Sequence, residues 1–338
     1  MTAAEPPVAE AIRAVMAAAT PADLFDPAAP VRHYRRLVKA LHPDRVAAAG
    51  HDGALAAAAA DAFARLIALW QAREPVLRTA AGEYRLRRPR YAGDLSDLYD
   101  AGADRLVKIP RDPTNNDLME REARALRRLA DRGDPRLLPY VPRLVDSLHH
   151  VDPATGALRR VNVVATVPRL RSLAELRRAF PHGLDARDVA WMWRRLLVAV
   201  GFAHRAGVVH GAVLPDHVLI EPDEHGVVLV DWCYATFGGE AVPALVPTYA
   251  DWYPQEVHRR REAGPETDIF MATRCMTCLL NADAPAALRS FAAGCTLPGR
   301  RQRPDDAWRL LGELDEVLAR LYGPRRFRPL RWPRQEDQ

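Results

Sequence analysis

The residue pattern changes once along the chain, near residue 76, and that change limits it to two differently built parts. Residues 1–75 are Ala-rich and helical in pattern throughout, with Pro-containing breaks at Pro21 and across Pro27 to Pro30. Between Tyr84 and Ile109 come short segments with β-branched residues and turns, of which Arg105-Leu-Val-Lys-Ile109 is the clearest strand. Helical patterns then dominate, interrupted by strand-like runs at Val161–Val167 and Val227–Val230. The expected organisation is a small all-α part, a boundary at 76–83, and a larger α+β part. With 338 residues, 49% of them hydrophobic, there is enough apolar material for two packed cores.

Charge excludes less than its total suggests. Of 48 basic residues only Lys39 and Lys108 are lysine, and alanine runs such as Ala56 to Ala60 accompany the arginines. Joint Arg and Ala enrichment is what a GC-rich genome produces. The arginines scatter along the chain among 43 acids and form no basic tract, so the net charge of +5 predicts no specific nucleic-acid partner. No uncharged run approaches the roughly 18 apolar residues of a membrane span. The first residues lack the basic and apolar regions of a signal peptide. Four cysteines make no disulfide scaffold. The expectation is a cytoplasmic protein without a membrane partner.

Within the first part, Tyr34, Leu37, Val38 and Leu41 form an apolar helical stripe, while Arg32, Arg35, Arg36 and Lys39 form a basic ridge on another face. His42-Pro43-Asp44-Arg45 follows, then a loop to Gly53. A second helix from about Ala54 to Arg73 carries Phe63, Leu66, Ile67 and Trp70 at matching spacing. This segment, residues 20–75, resembles a J-domain, the module of DnaJ-type co-chaperones. The resemblance implies that His42, Pro43 and Asp44 contact a DnaK-type chaperone ATPase, while Arg35, Arg36 and Lys39 meet its acidic surface by electrostatic docking. Residues 1–19 are then an N-terminal helix or tail.

In the second part, Leu118, Glu122, Leu126 and Leu129 share one helical stripe, so Glu122 is a carboxylate on a packing face and needs a partner. Residues 84–323 resemble the protein-kinase fold at several places that occur in the right order. Gly93-Asp-Leu-Ser-Asp-Leu-Tyr99 resembles the hairpin that covers nucleotide phosphates, although Gly93 is its single glycine. Lys108 stands where the phosphate-contacting lysine is expected, and the resemblance supplies it as the partner of Glu122. His210-Gly-Ala-Val-Leu-Pro-Asp-His217 matches the frame of the catalytic loop with Ala212 in the place of the base and His217 in the place of the metal-binding asparagine. Alanine accepts no proton from a hydroxyl, and magnesium prefers oxygen to imidazole nitrogen. Asp231-Trp-Cys233 matches the Asp-Phe-Gly turn with the aspartate kept and the glycine lost. Glu256, Asp268 and Arg303 match structural positions of the large lobe.

The resemblances together imply a multidomain chain: a J-domain-like helical hairpin, a linker at 76–83, and a bilobal α+β kinase-like fold with a small lobe at 84–168 and a large lobe at 169–323. A tail at 324–338 is expected to strap onto the large lobe. The implied function is a co-chaperone fused to a domain resembling a bacterial pseudokinase, which recognises a client protein or senses a nucleotide. The implied nucleotide-binding residues are Gly93, Lys108, Glu122 and Asp231, with Asp231 as metal ligand if ATP and magnesium bind, and no catalytic residue. An active atypical phosphoryl or nucleotidyl transferase, and an inactive scaffold, remain open. Cys275 and Cys278 have no second pair at zinc spacing and read as buried thiols.

Overall fold

The computed structural model describes residues 6–332 apart from 27–28, 74–75, 80–81, 87–88, 103, 153–154 and 167–168. The expected break at Pro27, the strand-end Val167 and the tail beyond residue 332 lie outside the described residues. Contacts divide the chain into two units, residues 1–88 with 151–158, and residues 89–150 with 159–338.

The first unit is built on α1 (Val8–Ala17), α2 (Pro21–Leu24), α3 (Pro30–Leu41), α4 (Pro43–Ala48) and α5 (Gly53–Gln71). The apolar stripe of α3 buries Leu37, Ala40 and Leu41, and α5 buries Ala59, Ala62, Leu66 and Leu69. Tyr34 stacks on Trp70 with centroids 4.1 Å apart, and Phe25 meets Trp70 edge-on at 5.3 Å. Ala11 and Val15 of α1 are buried in the same core, so the N-terminal segment is part of the unit. By length and composition α5 is the one described helix able to cross a bilayer, but Asp61 and Arg65 interrupt it. Arg65 donates to the Ala18 carbonyl at 2.8 Å.

Two local expectations are corrected. The loop expected from His42 to Gly53 contains α4, because Pro43 stands at its first position, where a missing N–H costs nothing. The expected linker at 76–83 holds most of an antiparallel hairpin of β1 (Val76–Thr79) and β2 (Gly82–Arg85). Leu77 and Tyr84 pair across it and are both buried, which gives these few residues an apolar side.

In the second unit, β3 (Pro89–Ala92), β4 (Ser96–Asp100), β5 (Arg105–Pro110), β6 (Leu144–Val151) and β7 (Leu158–Ala165) form one sheet in the order β3-β4-β5-β7-β6. The helix α6 (Asn116–Arg132) turns Leu118, Met119, Glu122, Leu126 and Leu129 inward. A second small sheet pairs β8 (Arg171–Ser172), β9 (Val218–Glu221) and β10 (Gly226–Leu229). Around it lie α7 (Leu173–Ala179), α8 (Ala186–Arg205), α9 (Gln255–His258), α10 (Pro265–Thr277), α11 (Ala286–Cys295) and α12 (Ala307–Tyr322). The core helix is α8, with Trp193, Leu197 and Val200 fully buried.

Three charged contacts lock the helical part. Asp268 accepts from the backbone N–H groups of His210 and Gly211 at 2.7 and 2.9 Å, and His204 Nε2 reaches it at 2.9 Å. Arg303 grips Glu256 with two bonds of 2.7 and 3.0 Å, with its own side chain fully buried. The tail does strap down, as far as it is described: Phe327 packs against the His225 ring, which stacks on Trp191, and Arg328 pairs with Asp188 at 3.1 Å. Cys275 is buried and Cys278 nearly so, which fits structural thiols. Arg303→Met would leave Glu256 buried without its counter-charge. The expected loss is about 3–5 kcal/mol, read as a fall in the urea midpoint of the full chain.

Candidate functional site

The register of the large sheet fixes Lys108 opposite Leu98 on one side and Asn162 on the other, in the middle of three strands. From there its ammonium makes three contacts, to Glu122 Oε1 at 3.0 Å, Asp231 Oδ1 at 2.7 Å and the Cys233 sulfur at 3.3 Å. An ammonium has three donors, and here each has an acceptor. Burial alone would lower the Lys108 pKa, but Asp231, Cys233 and Glu122 together hold it well above the ordinary range. The second oxygen of Glu122 accepts from Asn162 Nδ2 at 2.9 Å, and Asn162 in turn accepts from Ser147 at 2.7 Å. The partner expected for Glu122 is therefore in place, and a second carboxylate shares it.

Asp231 follows β10 in a left-handed conformation, with φ 64° and ψ 63°. Such geometry costs about 1–2 kcal/mol for most residues and is best tolerated by Gly, Asn and Asp. Burial would raise its carboxyl pKa; the Lys108 ammonium, followed by His217, overcomes this and keeps it ionised. Cys233 occupies the position where glycine was expected, and burial pushes its thiol well above the usual range. It is a neutral neighbour of the charged cluster.

The loop before β9 carries the two departures noted in the sequence. Ala212 is fully buried and brings no functional group. The nearby Asp216 accepts from Tyr249 at 2.7 Å. His217 is buried, with Nδ1 2.9 Å from the Ala212 carbonyl and Nε2 3.4 Å from Asp231 Oδ2. Gly93 closes the turn between β3 and β4: its N–H bonds Ser96 O at 2.9 Å, and a Cβ there would stand 2.8 Å from that oxygen. The nucleotide role expected for Gly93 thus has a purely steric competitor. The next residue, Asp94, instead reaches the cluster, accepting a hydrogen bond from the Tyr234 hydroxyl.

Asp94, Asn162 and Tyr234 were not found in the sequence. Asn162 left a trace, as the one polar residue within Val161-Asn-Val-Val164. Asp94 and Tyr234 left none, because their contact spans 140 residues.

In the first unit, His42 caps α4, with Nδ1 accepting from the Asp44 N–H at 3.3 Å. Pro43 and Asp44 are exposed, the Asp44 side chain by 91%. On α3, Arg32, Arg35 and Lys39 are exposed and Arg36 half-buried. The structure thus brings the expected docking residues to one helix and its immediate continuation.

Comparison with known proteins adds a fold. No protein-family model matches the chain. A stretch of 79 residues, 23% of the chain, is 32% identical to the casein kinase II subunit alpha' of Saccharomyces cerevisiae and spans 21% of that protein's length. The solved structure of vaccinia related kinase 3 superposes with a TM-score of 0.56 at 18% identity, covering 74% of this chain and 91% of that one. The chain thus contains a bilobal α+β protein-kinase-like fold.

One titration in the site is tied to folding. His210 donates through Nε2 to Val230 O and accepts the Ala212 N–H on Nδ1, so it is held neutral. Burial pushes its pKa from 6.5 down to about 4. The unfolded chain therefore binds this proton first as pH falls. The stability from neutral His210 is complete above about pH 6.5 and is lost between there and pH 4, amounting to about 3 kcal/mol. Urea midpoints measured across that range should fall, and His210→Gln should flatten the slope.

Proposed function

We propose that the chain is a J-domain-type co-chaperone, acting in the cytoplasm with a DnaK-type chaperone ATPase. Its kinase-like unit has lost phosphoryl transfer and recognises a client protein or senses a nucleotide. The observation that carries the co-chaperone half is Asp44. Its carboxylate is exposed at the start of α4, behind a rigid proline and beside the exposed basic residues of α3. Such a face docks on an acidic partner by charge while the turn presents one carboxylate. This half rests on the first unit's own residues; the likenesses above concern the kinase-like fold.

Loss of transfer rests on the second unit. With Ala212 buried and Asp216 bonded to Tyr249, the loop offers no free carboxylate to accept a hydroxyl proton. A kinase-like fold implies ATP with magnesium, and the residues fit that pair only in part. Lys108 is of the right type to meet phosphate, but its three donors are already spent on Glu122, Asp231 and Cys233. At the second metal position His217 offers nitrogen where magnesium calls for oxygen. Nucleotide binding is accordingly weak and dependent on Lys108 and Asp231. One observation favours a competing reading as an atypical phosphoryl or nucleotidyl transferase: the buried Lys108–Glu122 pair is formed.

Asp44→Asn is expected to abolish most stimulation of the partner chaperone in single-turnover ATPase measurements, with an unchanged melting temperature. Equal stimulation by the variant would overturn the co-chaperone reading. For the kinase-like unit, radiolabelled ATP with generic substrates and with the chain itself should give no transfer, with magnesium or manganese. Ala212→Asp alone should not restore it, since His217 and Cys233 remain. Robust transfer by the natural chain, lost in Asp231→Ala, would make the transferase reading correct.

A further inference from the structure

Oxygen or nitrogen ligand atoms of Asp94, His217 and Asp231 all lie within 4.8 Å of one another. The arrangement of the histidine singles this group out from an ordinary acidic cluster. A carbonyl oxygen only accepts, so His217 Nδ1, 2.9 Å from Ala212 O, carries the proton. In a neutral imidazole Nε2 then presents a lone pair, and it faces a carboxylate oxygen of Asp231 at 3.4 Å. Two acceptors face one another, and the histidine side chain is only 8% exposed. Something positive belongs between them.

Each member of the trio is also held from behind. Ala212 O fixes the ring of His217, Lys108 holds the other oxygen of Asp231, and the Tyr234 hydroxyl holds Asp94. The Tyr234 ring lies nearly parallel to the His217 ring, with centroids 6.0 Å apart. Supporting contacts of this kind orient metal ligands and raise their basicity. Charge agrees: Asp94, Glu122 and Asp231 against one Lys108 leave two negative charges in the cluster, which a divalent ion would neutralise.

We propose that Asp94, His217 and Asp231 form a binding site for a divalent first-row transition ion of the zinc or cobalt type. One imidazole nitrogen with two carboxylates suits such ions, whereas magnesium calls for six near-ideal oxygen positions. Three protein ligands leave a position open to water or to an anionic ligand. The site shares Asp231 with the nucleotide reading but needs neither nucleotide nor chaperone, and it can fail while that reading stands.

The test uses the metal-free full chain without nucleotide. Zinc and magnesium are titrated by calorimetry, and cobalt by its visible absorption, whose intensity reports coordination number. One zinc equivalent is expected to bind at least about tenfold more tightly than magnesium. His217→Asn, which can still donate to Ala212 O, should weaken zinc by more than about tenfold and narrow the preference over magnesium. Asp94→Asn, at an exposed turn that leaves the core intact, should weaken zinc comparably. No zinc binding would mean that His217 is simply an imidazolium paired with Asp231, and would overturn the proposal. Binding of equal strength in the natural chain and both variants, as adventitious capture at surface histidines would give, would overturn it as well.

Discussion

Lys108 is the charge on which the second unit is organised. It joins a strand of the small lobe, the helix α6 and the turn after β10 through one ammonium. Taking these groups out of water is costly, and only the close contacts and the outer bonds of Asn162 and Ser147 make the arrangement tolerable. The same saturation has a functional side. A phosphate arriving at Lys108 must displace Asp231, Glu122 or the Cys233 sulfur, so a contact that stabilises the fold competes directly with a ligand.

Shape and chemistry in the loop before β9 depend on different residues. Its shape comes from Asp268, which takes two backbone N–H groups, and from neutral His210 bonded to Val230. None of these requires a functional side chain at 212. A loop so held can lose its base without losing its path, which explains why Ala212 is buried in an otherwise well-tied segment. Glu256 and Arg303 act likewise at a distance from the cluster, as a buried pair that fixes loops and helices.

Much of this was legible in the sequence, for reasons that separate cleanly. Lys108 stood out against an arginine habit, and Glu122 stood out because it broke an apolar stripe. Asp231 and Asp268 were visible through the ordered resemblance to a kinase. Features set by local chemistry were misjudged where one residue has two uses. Pro43 reads as a break but also starts a helix, so α4 was missed. The hairpin at 76–85 was hidden among arginines, since only Leu77 and Tyr84 mark its buried side. Asp94 and Tyr234 could not be read at all, because nothing local distinguishes a turn aspartate that meets a tyrosine 140 residues away.

The histidine at 217 and the alanine at 212 belong to one argument. An aspartate at 212 would add a further negative charge beside Asp231, and an asparagine at 217 would offer a neutral oxygen to a hard cation. Replacing both removes an oxygen donor and an acid and adds one buried nitrogen whose proton is spent on the Ala212 carbonyl. The change is therefore more than a loss. It leaves the cluster's negative charge on Asp94, Glu122 and Asp231 and places a soft, directional donor against it, so the preference for a cation shifts in kind. A chain that had merely decayed would have no need for the Tyr234 hydroxyl to hold Asp94 in reach of that nitrogen.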